Sequence, residues 1–169
     1  MTMFKTVVFG AALAATSTFA YADDVQLSEI DVQTDLSAVE GANAMEYWPT
    51  LNDDLRAAIA AQVDLAEDAN RVMVEIHSVT LDGSGVLPES GEFNQLQGTI
   101  AVFEPKTGQE ADDGDIAPVT SYPLNLDASV ADGGVAPEGW IRIPPSTDDF
   151  YTALVNTFAI EVVKNLEEM

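Results

Sequence analysis

The sequence predicts an α+β domain in which two helices pack on one face of a mostly antiparallel sheet, in the order β-α-β-β-β-α. Three observations point there. Near 28–34, 71–81, 96–104 and 119–126, apolar residues fall into short runs, most of them alternating with polar ones in the period of a half-buried strand. Two other stretches repeat apolar residues every four positions, the period of an amphipathic helix. The links between the middle strands are short, which favours antiparallel neighbours.

Taken in order, Ile30 and Val32 alternate with Asp31 and Gln33 and give the first strand, after polar residues 23–28. The segment from Leu36 to Tyr47 fits neither period. It ends at Trp48-Pro49, because the residue before proline is pushed out of the helical region. Thr50 or Asn52 offers an N-cap to a helix starting near 51 and ending between 62 and 69. Asp53 and Asp54 sit in its first turn, where the helix dipole favours anions, and Leu51, Leu55 and Ile59 form its apolar stripe.

Arg71 to Leu81 is the best strand, with Val72, Val74 and Ile76 alternating with Arg71, Met73, Glu75 and His77. Residues 82–95 are a loop by composition, and Leu96, Gly98, Ile100 and Val102 resume the alternation in a strand expected to pair with the previous one. Pro105-Lys106-Thr107-Gly108 has the residues of a β-turn, followed by a long excursion or by a weak strand at 109–111. After the strand at 119–126, residues 127–139 are again loop-like. Trp140 to Ile143 is a short apolar island stopped by Pro144-Pro145. The clearest helix closes the chain, with Ser146 as cap, Asp148 and Asp149 in the first turn and Phe150, Leu154, Phe158, Val162 and Leu166 at four-residue intervals. The expected core is Ile30, Val32, Leu55, Ile59, Val72, Val74, Ile76, Ile100, Val102, Leu124, Leu154, Phe158 and Val162.

Residues 1–22 read as a secretory signal: Lys5 gives a positive start, Val7 to Ala15 a small apolar stretch, and Ala20-Tyr21-Ala22 the small-x-small site of signal peptidase. Cleavage after Ala22 leaves a single domain at 23–169 in the periplasm or outside the cell. The apolar stretch is too short to span a bilayer, and no Cys follows it to accept a lipid. Loss of Lys5 and no acid takes the formal charge from −23 to −24, so the mature chain repels nucleic acid and anionic headgroups alike. With no Cys in the sequence, thiol catalysis, thiolate metal sites and disulfides are all excluded. A single His77 allows no two-histidine zinc motif, and a serine triad would have to use this one imidazole.

The first strand, the helix opened at Pro49-Thr50-Leu51, Arg71-Val72-Met73-Val74-Glu75-Ile76, and Gly98-Thr99-Ile100-Ala101-Val102-Phe103 leading to Lys106-Thr107-Gly108 are followed by a closing helix. In this order the chain resembles small exported or lipid-anchored envelope domains of unknown function from Gram-negative bacteria. The resemblance implies periplasmic residence, and it carries over neither a catalytic residue nor a site. Those domains often carry a lipid-anchoring Cys, from which this sequence departs.

Several constellations bear on chemistry. Glu110-Ala111-Asp112-Asp113-Gly114-Asp115 packs carboxylates around a glycine, and Asp112, Asp113 and Asp115 are the candidate ligands for a hard cation such as Ca²⁺. The run lacks the spacing of an EF-hand loop, so a solvated loop is expected and no metal site is assigned. His77 and Glu75 share a strand face, as a base and its orienter would, but no third partner is visible and a solvent-facing histidine is expected. Ser84 is not in Gly-x-Ser-x-Gly, and no phosphate loop occurs. Carboxylate pairs such as Glu89 and Glu92 are uninformative among 29 acids. Tyr47, Trp48 and Trp140 either line an apolar site or, as expected, brace the core. The expectation is therefore a non-enzymatic exported domain without a cofactor, binding a protein or envelope component through the open face or the edge of its sheet. The alternatives are a small secreted hydrolase or ligand-binding protein, its site built on loops 82–95 and 127–145, and a calcium-binding acidic protein.

Overall fold

The computed structural model describes residues 25–106, 117–128, 138–142 and 150–169. The fold is α+β. Among the described residues six strands form one sheet: β1 Gln26–Thr34, β2 Asp64–Leu65, β3 Asn70–Thr80, β4 Gln95–Phe103, β5 Thr120–Asp127 and β6 Ile141–Arg142. A one-turn helix α1 Ala44–Tyr47 leads to α2 Leu51–Ala60, and α3 Phe150–Glu167 closes the chain. The sheet order is β2-β1-β3-β4-β5-β6.

The long central ladders, β3 with β4 and β4 with β5, are antiparallel as expected, whereas β1 runs parallel to β3 and β6 parallel to β5. The sheet is thus mixed. The parallel pairing of β1 with β3 follows from α2: a helix between two neighbouring strands returns the chain to the end where it began, and the second strand then runs in the direction of the first. The short strands β2 and β6 flank the sheet, each pairing over two residues.

Both long helices cover the same face. Phe158 of α3 lies over Gly98, where a Cβ would fall 3.0 Å from the Glu75 carbonyl oxygen and from Ile76 Cδ1, and 3.1 Å from Phe158 Cζ. Every expected core residue is buried except Ile30. Ile30 lies where β1 has outrun its outer partner, since β2 ends at Leu65, and it is only partly buried against the core. There the side chain of Arg56 replaces a neighbouring strand, its Nε donating to the Ile30 carbonyl at 3.3 Å. Arg56 also reaches Asp53 at 2.7 Å and Asp31 at 3.8 Å, and so ties α2 to β1.

Three local expectations change. α2 stops at Ala60 rather than between 62 and 69, because the chain turns there into β2 at Asp64. Thr50 does occupy the N-cap of α2, but its hydroxyl makes no capping bond and donates instead to Asp54 Oδ2 at 2.8 Å. Asn52 lies inside the helix and accepts from Thr34 Oγ1. In β3 the register shifts between Ile76 and Ser78, so His77 is the extra residue of a bulge and the inward phase moves from Val72, Val74 and Ile76 to Val79. The expected helix start at Ser146, Asp148 and Asp149 lies outside the described residues, as do residues 1–22, the segment 109–111 and the acidic run.

Candidate functional site

The sheet face opposite the helices is built by the strand residues that alternate with the core. Register places Asp31, Met73, Ala101 and Ser121 in one row across four strands, and Gln33, Glu75, Thr99 and Pro123 in the next. No helix among the described residues packs on these rows. Most of the side chains are polar or small, and Met73, Thr99 and Ala101 are half-buried by their neighbours on the pleated surface. Pro123 has no N–H for a ladder, and it is tolerated because β5 has a partner on its outer side only at Leu126 and Asp127.

At one corner of this face lies a cleft of about 250 Å³ lined by Ser28, Glu29, Glu67, Arg71 and Lys106. Arg71 is only 6% exposed, although the strand period assigns it to the open side. Its burial is offset by specific partners: Nε donates to the Glu104 carbonyl at 3.1 Å, and the guanidinium lies 5.4 Å from the centre of the Phe103 ring. Lys106 pairs with Glu29 at 2.7 Å on the rim, where both side chains are about half exposed. Ser28 marks the register shift between Leu27 and Glu29, and its hydroxyl donates to the Ala69 carbonyl at 2.7 Å. Sequence reasoning missed this cleft, because its residues are scattered over four segments that the β1–β3 and β3–β4 pairings bring together.

The sequence-derived candidates are not brought together. His77 sits partly buried in its bulge beyond exposed Glu75, and neither lines the corner cleft. Trp48 stacks on Tyr151 with ring centres 4.0 Å apart, and Phe93 meets both rings edge-on. Trp48 Nε1 donates to the Gly91 carbonyl at 2.7 Å, and the Tyr151 hydroxyl donates to Asp54. This cluster joins the start of α2, the loop before β4 and the first turns of α3, which is the bracing role expected of Trp48. Trp140 is elsewhere, immediately before β6 and beside β5, where Asn125 Nδ2 donates to the Gly139 carbonyl at 3.2 Å.

The loop 81–94 is held at both ends. Asp82 and Asn94 bond reciprocally, Asp82 N to Asn94 Oδ1 at 2.9 Å and Asn94 Nδ2 to Asp82 Oδ1 at 2.8 Å. Asn43 does the same for Leu87, donating to its carbonyl at 3.1 Å and accepting from its N–H at 2.7 Å. Leu87 and Phe93 are buried, so much of this loop is core rather than a free active-site rim. Glu89 and Glu92 are exposed on it. Among the described residues no three His, Asp or Glu side chains are grouped as a metal site would require, and Asp112, Asp113 and Asp115 lie outside them. No described helix is long and apolar enough to cross a membrane. No family model, curated protein or solved structure matches this chain.

Proposed function

We propose that this chain is an exported, non-enzymatic domain that binds a protein or envelope component through the sheet face opposite α2 and α3. The observation that carries the reading is that face: four long strands present two ordered rows of side chains, while the helices and the core occupy the other side. The charge, −23 for the full chain and −24 without residues 1–22, adds a constraint on the partner, because a field of that sign accelerates association with a cationic surface and opposes an anionic one. The signal-like residues 1–22 support an encounter in the envelope or beyond it. The resemblance to exported Gram-negative envelope domains points to the same compartment.

The test is capture from envelope extract with purified protein, comparing wild type with Thr99→Arg on the open face and Asn156→Arg on the exposed side of α3. A partner retained by wild type and Asn156→Arg, released by Thr99→Arg and weakened by salt supports the reading. Equal capture by all three contradicts it. So does turnover in a hydrolase screen that any single substitution abolishes, which would favour the secreted-hydrolase alternative.

A further inference from the structure

We propose that the flank of α2 carrying Asn52 and Arg56 is a guard on the outer edge of β1, which keeps that edge from pairing with a second copy of this chain. The inference concerns self-association and stands without the docking reading.

Backbone direction defines the edge. Asp35 N donates to the Ile76 carbonyl at 2.8 Å, towards β3, so strand alternation points the backbone groups of Ile30, Val32 and Thr34 away from β3. β2 serves this outer side only at its start, where Asp64 N donates to the Val25 carbonyl at 2.9 Å and Ala66 N to the Leu27 carbonyl at 3.0 Å. Among the described residues no strand flanks Ile30 to Thr34. Left bare, such a row of donors and acceptors is a template for another strand.

α2 closes the row with side chains. Asn52 and Arg56 stand four residues apart and share one side of the helix. Asn52 Oδ1 accepts from Thr34 Oγ1 at the end of β1, and Arg56 Nε donates to the Ile30 carbonyl at 3.3 Å. Between these two contacts Val32 is only 2% exposed, although no described strand lies beside it. Asp53 and Asp31 hold the Arg56 guanidinium in place, at 2.7 and 3.8 Å. The opposite edge is blunted by other means: β5 carries Pro123, and β6 pairs with it only at Leu126 and Asp127.

Charge does not make the guard redundant. Repulsion at −23 keeps copies apart at low salt, but the screening length falls to about 3 Å in 1 M salt, less than the spacing of roughly 4.8 Å between paired strands. An antiparallel pairing centred on Val32 of both copies would set Ile30 of one against Thr34 of the other, a self-complementary twofold contact. Once charge is screened, the side chains of α2 are what prevents it.

The experiment is sedimentation velocity at about 0.05 M and about 1 M NaCl. It compares wild type, an Asn52→Ala, Arg56→Ala variant, and the same variant with Thr34→Pro added. Alanine suits a helix, and the Arg56 side chain is 41% exposed, so the double variant keeps the fold. Wild type should be monomeric at both salt concentrations. The double variant should dimerise at high salt, with a dimer fraction about tenfold or more above wild type. Thr34→Pro removes an outward N–H and no bond to β3, and it should return the protein to monomer. Because proline can only loosen the fold further, that reversal separates edge pairing from aggregation of a destabilised chain. The proposal is overturned by wild-type dimers at high salt, by a double variant that stays monomeric there, or by association that survives Thr34→Pro.

Discussion

Gly98 carries the packing of two layers in a single residue. Its missing side chain lets Phe158 rest against the sheet between β3 and β5, and an added Cβ would crowd backbone and ring together. Gly98→Ala should cost about 1–3 kcal/mol, seen as a lower urea midpoint with an unchanged slope. Tyr122 gives the residue-scale prediction for pH. Burial raises its hydroxyl from 10.0 to about 12, and the hydroxyl donates to the Val162 carbonyl at 3.4 Å. Because the folded state holds this proton more tightly than the unfolded one, the contribution is fully present below pH 10 and is lost as pH rises towards 12. Melting temperature followed across that window should fall more steeply for wild type than for Tyr122→Phe. The inward residues themselves were legible from alternation alone, as Val72, Val74, Ile76, Ile100 and Val102 show. His77 and Ser78 were not, since a bulge reverses the phase without leaving a mark in composition.

Among elements, the long ones were readable and the short ones were not. Nine to eleven residues, as in β1, β3 and β4, provide several periods of alternation, whereas β2 and β6 have two residues each and exist because a neighbouring strand offers them an edge. The loop 82–95 was recognised by its turn residues, but Leu87 and Phe93 were not recognised as core, because nothing local distinguishes an apolar plug from an exposed apolar residue. The aromatic clasp of Trp48, Phe93 and Tyr151 is the device that fastens this loop between α2 and α3. Trp48→Ala removes the stacked ring and the bond to the Gly91 carbonyl together. It should destabilise the fold by about 2 kcal/mol or more, and limited proteolysis should then cut first within 82–94. Tyr151→Phe, which keeps the stack and removes the hydroxyl that donates to Asp54, should cost less, about 1 kcal/mol.

For the whole molecule, charge is the strongest influence that the sequence alone reveals, and it predicts behaviour independent of any site. Self-repulsion at −23 is screened by salt, so raising NaCl from low to moderate concentration should raise Tm. Ca²⁺ should do no more than Mg²⁺ at matched ionic strength. A Ca²⁺-specific rise lost in an Asp113→Asn, Asp115→Asn variant would instead make the acidic run a cation site. The sheet's mixed direction was the global feature least visible beforehand: the antiparallel centre follows from strand-to-strand links, but placing β1 next to β3 requires knowing where α2 returns the chain. The corner cleft depends on that same pairing and was hidden for the same reason. The most direct test of the open-face account is photo-cross-linking in intact cells, with a photoreactive residue at Thr99 on the open face or at Asn156 on α3. A discrete envelope adduct from Thr99, absent from Asn156 and carried by a chain beginning at Asp23, is the predicted result. Adducts of equal yield from both positions, or protein recovered in the cytoplasm with Met1 intact, would contradict it.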